Sequence, residues 1–229
     1  MICAIQTYPG ANRDLMVHWS GFRTLAQFSP IVIVGTVGGG CWVPNGALYV
    51  EIGANRHVAG DHLPRRLVDT AAHLLTIPGW EWGACAEYDV AFFRPFPELA
   101  KGFHGHLAGG QLPGCKSTFF YHFPMVADRE TWERFVVGGR ELLAAGETEG
   151  GTPDAFAALV LERYSIPHHF NSFKSYSRNT VHFSFRPGES DFSLEARQAV
   201  RDGCVSVHGL KTSKTYKTDA AEMLKFISS

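Results

Sequence analysis

Glu87 and Asp89, separated only by Tyr88, follow the apolar run Gly83, Ala84, Cys85, Ala86 and precede a second one, Val90, Ala91, Phe92, Phe93. Two carboxylates at i and i+2 of an extended chain project to one face, where their charges repel unless a proton or a divalent cation neutralises them. Oxygen donors of this kind suit a hard cation. Far downstream, His208, Gly209, Leu210 and Lys211 add an imidazole as a third ligand, beside a cation suited to phosphate. Together these residue types point to a metal and a phosphate held in one place.

The frame around them is that of an ordinary globular protein. The chain has 229 residues, 45% hydrophobic, 13% aromatic and 19% charged, enough to bury a core and too apolar for disorder. No segment reaches the roughly 20 apolar residues of a membrane span, and the N-terminus has no basic region followed by an apolar run, so we expect a cytoplasmic protein without a membrane anchor. Five scattered cysteines, none in a Cys-x-x-Cys pair, argue against a disulfide framework or a cysteine zinc site. A net charge of −1 supplies no global attraction for nucleic acid. Basic character is local: Lys211, Lys214 and Lys217 recur every third residue, and Lys174 and Arg178 flank an aromatic-polar segment.

The elements that must position the acids alternate in type. Apolar runs predict strands at residues 2–7, 31–34 and 48–52 and one ending at Glu87. Helices are expected at 20–28, after a loop over Tyr8 to Asp14, and at 64–75, where Leu67, Val68, Ala71, Ala72, Leu74 and Leu75 mark one face. This order predicts an α/β fold with a mostly parallel sheet flanked by helices and ligands at the carboxyl ends of its strands. Beyond Pro95 the spacing predicts a smaller antiparallel addition, with strands at 102–108 and 119–123. Helices are expected at 128–145, 153–164, 194–201 and 219–227, an extended active-site wall over 165–185, and a strand at 204–207 leading into His208.

This arrangement resembles the GT-A type of metal-dependent, nucleotide-sugar glycosyltransferases over most of the chain. The acid-x-acid turn, the aspartate opening a later helix (Asp154) and the strand followed by His208-Gly209-Leu210-Lys211 carry the likeness. Glu87 stands where that family has the first aspartate of Asp-x-Asp, which keeps the charge and leaves open which carboxylate touches metal. The resemblance implies a single domain over 1–229, with a nucleotide-binding half at 1–95 and an acceptor-side half at 96–229. It implies Mn2+ or Mg2+ on Asp89 and His208, with Glu87 acting on the metal through water or on the ribose, and Lys211 and Lys214 against the diphosphate. Thr7 and Tyr8 would meet the nucleotide base. Asp154 would be the base that deprotonates a hydroxyl acceptor in an inverting transfer; a helix-opening aspartate also stabilises the helix dipole, and a retaining mechanism stays open. A UDP-sugar is the favoured donor. Similar compact enzymes of phages and protists glycosylate hydroxymethylated pyrimidines in DNA, which makes DNA one acceptor to consider, gripped by residues 170–178 and 211–217.

Other features admit simpler readings. Gly35, Gly38, Gly39 and Gly40 do not open a helix, so they form a loop or hairpin rather than a dinucleotide fingerprint. His104 and His106 share a strand face but lack a third zinc ligand, and read as core or acceptor-side residues. Arg65 and Arg66 face a phosphate or water. Two alternatives compete with the transferase: a nucleotidyltransferase, for which the loop Pro9 to Arg13 lacks a triphosphate-binding lysine, and a non-catalytic nucleotide-sugar-binding module.

Overall fold

In the computed structural model, residues 1–25, 27–53, 62–110, 114–177 and 201–208 are described. Strands β1 (Ile2–Gln6) and β2 (Ile31–Gly35) are buried along their whole length. Burial on both faces is what a parallel sheet covered on both sides demands, and the near-continuous aliphatic sequence of each strand supplies it. β1 pairs in parallel with β2 and with β4 (Trp82–Glu87), and β2 pairs in parallel with β3 (Leu48–Glu51). Because β2 and β3 run the same way, the glycine-bearing segment 36–47 is a crossover loop, not a hairpin.

The sheet continues through β7 (Phe119–Asp128), antiparallel to β4, then β6 (Phe103–Gly110), antiparallel to β7, and ends at β8 (His168–Phe170), giving the order β3-β2-β1-β4-β7-β6-β8. A second, three-stranded sheet sets β10 (Ser206–His208) between β5 (Ala91–Phe92) and β9 (Ser175–Ser177). The mostly parallel α/β architecture with an antiparallel addition is thus as expected. Strand limits differ in detail: the strand begun at Phe119 runs on to Asp128, and His208 ends β10 rather than following it. Of the 165–185 wall, residues 168–177 are β8, β9 and their connection, and residues 178–185 lie outside the described residues.

The first helix, α1, is Asn12–Ser20, continued by a π turn at Gly21–Leu25, and so begins well before the expected Ser20. Leu15, His18 and Phe22, three and four residues apart, form its buried stripe. Phe22 packs edge-on against Phe92 with ring centroids 5.2 Å apart, which ties this helix to β5. Helix α2 (His62–Thr76) buries Leu67, Val68, Ala71 and Leu74; each large aliphatic among them contributes about 1.5–3 kcal/mol. Asp128 caps helix α3 (Arg129–Ala144) by accepting from the Thr131 amide, and also accepts from the Gly102 amide at 2.7 Å. Within α3, Gly139 lets α2 approach: a Cβ there would lie 2.7 Å from a Val68 methyl. Helix α4 (Pro153–Arg163) opens with Pro153 in its first turn and packs on β7. Among the described residues no helix is long and apolar enough to cross a membrane. The helices expected at 194–201, Arg201 apart, and at 219–227 lie outside the described residues.

Candidate functional site

Glu87 is the last residue of β4, at the carboxyl end of the parallel sheet, while Asp89 sits in the turn that follows. The same-face rule for strands therefore does not bring the two carboxylates together; the turn does. Tyr88 points elsewhere and packs edge-on against Tyr8 at 5.3 Å. The chain then enters β5, which pairs antiparallel with β10 through Ala91 with Val207 and Phe92 with Ser206. This register delivers His208 to the acidic turn. Its Nε2 lies 2.9 Å from Glu87 Oε2 and 3.5 Å from Asp89 Oδ1. One ligand atom from each of the three residues falls within 4.8 Å of the others.

The electrostatics of this cluster fit a cation. Asp89 and His208 are almost wholly buried, at 2% and 4% exposure. Burial opposes a charge on His208, but the hydrogen bond to Glu87 and the charges of Asp89, Glu87 and Asp154 overcome it and raise its pKa to about 9. A single proton on the imidazole offsets one of two carboxylates, leaving a net negative pocket, and once that proton leaves the cluster offers two oxygen donors and one nitrogen donor. Such a set suits Mn2+ or Mg2+ better than a monovalent ion.

Beside this cluster lies a group that the sequence did not announce. His122, in the middle of β7, has its ring 5.6 Å from the His208 ring and its Nδ1 3.8 Å from Asp154 Oδ1. Burial, with His208 and His106 nearby, pushes the His122 pKa down to about 3. Burial and the Glu87 charge push Asp154 up to about 7. Asp154 lies in the first turn of α4, yet its carboxyl is held well above the range that a helix dipole alone would give it. His106 is the cross-strand partner of His122. The only sequence signal for His122 is one imidazole inside the apolar run Phe119 to Phe123.

The remaining expected residues fall as follows. Thr7 is buried just past the end of β1, with its amide on the Val34 carbonyl at 3.0 Å; Tyr8 packs on Tyr88. Arg66 reaches over both strand ends, donating to the carbonyls of Thr7 at 2.7 Å and Val34 at 2.8 Å. It thus braces backbone at the site rather than facing water, whereas Arg65 is exposed. His104 is a structural residue, bonded to the Ala100 carbonyl and the Ser172 hydroxyl and stacked on His169. A register shift between His104 and His106 separates the surroundings of the two. Lys211, Lys214, Lys217 and Arg178 lie outside the described residues, and Lys174 donates to the Asp202 carbonyl at 3.0 Å.

No family model and no curated protein matches the sequence. Among solved structures, an active-site mutant of LgtC superposes on this chain with a TM-score of 0.57 and 9% sequence identity, over 100% of this chain and 95% of that one. The fold is GT-A-like. At that identity the likeness concerns architecture alone, and the side chains must supply everything further.

Proposed function

We propose that this protein is a metal-dependent glycosyltransferase that moves a sugar from a nucleotide diphosphate sugar, most readily a UDP-sugar, to a hydroxyl acceptor. One observation carries the reading: Glu87, Asp89 and His208 converge at the carboxyl end of β4 in a GT-A-like fold. Mn2+ or Mg2+ bound by Asp89 and His208, with Glu87 alongside, would supply positive charge for the departing diphosphate. Residues 1–95 hold the nucleotide, with Thr7 and Tyr8 on the base side and Arg66 stiffening the strand ends beneath it. Lys211 and Lys214 add charge against the phosphates. Residues 96–229 present the acceptor.

Asp154 takes the acceptor proton. A carboxyl with a pKa near 7 is a stronger base than an ordinary carboxylate and is still substantially ionised at neutral pH, the compromise a general base requires. As the proton passes to Asp154, the acceptor oxygen forms its bond to the anomeric carbon and the bond to the diphosphate breaks, inverting that centre. No described side chain favours DNA over other hydroxyl compounds as acceptor.

The test is donor turnover. Mn2+-dependent hydrolysis or transfer from UDP-sugars is expected in the parent protein and should disappear in Asp89→Ala and in His208→Ala. Undiminished activity in both variants would refute the assignment.

A further inference from the structure

Three side chains from three elements meet beside the proposed cation pocket with polar atoms unanswered. His106 on β6 and His122 on β7 are directly paired across the strands, so both imidazoles leave the same face of the sheet. Helix α4 brings Asp154 to that face. Among the described residues, His122 Nδ1, His122 Nε2, His106 Nδ1 and Asp154 Oδ1 are out of solvent contact and have no hydrogen-bond partner. His122 is only 5% exposed. A buried polar group left unpaired costs about 1–3 kcal/mol, so four in one place mark a spot shaped for something that pairs with them.

The chemistry of that something can be narrowed. The 3.8 Å between His122 Nδ1 and Asp154 Oδ1 is too long for a hydrogen bond. A hydroxyl set between them bridges the gap, accepting from the imidazole N–H and donating to the carboxylate. His106 also hydrogen-bonds Asn171 and so brings one open nitrogen, Nδ1, while both ring nitrogens of His122 are open, and an imidazole nitrogen can give or take a hydrogen bond. Groups that give and take hydrogen bonds in equal measure match hydroxyls, not phosphate, which needs cations. The His122 ring lies 5.6 Å from the ring of His208 in the proposed cation pocket.

We propose that His106, His122 and Asp154 Oδ1 form a hydroxyl-reading subsite that holds the sugar of the donor and selects among sugars by the placement of their hydroxyls. This rests on the glycosyltransferase reading. The second Asp154 oxygen remains for the acceptor proton.

The experiment compares calorimetric affinities of UDP, UDP-glucose and UDP-galactose, each with Mn2+, for the parent protein, His122→Phe, His106→Phe and His122→Gln. The parent should separate the two sugars, which differ at one hydroxyl, by roughly tenfold or more. His122→Phe and His106→Phe should bind UDP within about twofold of the parent while losing that separation, and His122→Gln, which keeps polar atoms, should restore part of it. Sugar discrimination that survives in both phenylalanine variants overturns the subsite and leaves the transferase reading standing. A change confined to the KM for acceptor, with donor discrimination intact, also overturns it by moving the subsite to the other substrate. If the parent binds neither UDP nor its sugars in the presence of Mn2+, the transferase reading falls and the subsite with it.

Discussion

The two halves of the central sheet do their work in opposite ways. In β1, β2 and β4 the strand bodies are apolar up to Gln6 and Glu87 at the tips, and the proposed chemistry sits at those ends: Thr7 after β1, Glu87 closing β4, Asp89 one turn beyond. In β6 and β7 the proposed chemistry sits on the strands themselves, with His106 and His122 paired across them and His122 packed edge-on against Phe120. A parallel strand buried on both faces cannot carry an unpaired polar side chain without a large desolvation cost, so function is pushed to its tip. An antiparallel pair at the sheet's far side can give one face to a ligand.

This contrast can be broken by experiment, beginning with the polar half. Asp154→Asn should lower transfer by about 100- to 10,000-fold with little loss of stability. Because the base must be deprotonated, parent activity should climb through an acidic limb near pH 7, and the residual activity of the variant should lack that limb. A variant with an unchanged pH–rate profile would remove Asp154 from the chemistry and make it a simple helix-opening residue.

At the tip of β4 the expected effect is smaller and continuous. In the metal-free protein His208 holds a proton up to about pH 9. A metal taking its nitrogen must expel that proton, so Mn2+ affinity should rise about tenfold per pH unit from neutrality and level off above 9. Titrations in buffers of different ionisation enthalpy would count the released proton; none released at pH 7 would show that His208 is not a ligand.

The smallest effect belongs to the scaffold. Gly139→Ala should destabilise the fold by about 1–3 kcal/mol, because the added methyl presses on Val68 where α2 and α3 touch. Nucleotide binding should survive in the fraction that remains folded. An unchanged or raised melting temperature would mean that the helices have slack there.

The same division governs what could be read from the sequence. Strands β1, β2 and β4 and helices α2, α3 and α4 were legible because long apolar runs and periodic stripes are local signals. Glu87 and Asp89 were legible because acids directly after an apolar run stand out. His122 was not, since a single imidazole among phenylalanines reads as core, and only the register with β6 and the approach of α4 give it meaning. Helix α1 begins earlier than its sequence signals, because Pro9 and Gly10 signal a turn and the stripe of Leu15, His18 and Phe22 contains a histidine. Arg66 shows the converse: its helical position was plain, but its role as a brace across two strand ends depends on the order of strands in the sheet.

The pairing of β5 with β10 has a further consequence. A three-residue strand from late in the chain is sewn to the segment just after the acids, so His208 keeps its post only while that short ladder holds. Whatever ligand draws the histidine and the carboxylates together therefore also fastens the ladder, and by thermodynamic reciprocity a firmer ladder raises the affinity for that ligand. Under the proposed reading the late segment would work as a clasp, closed by the same cargo it helps to grip.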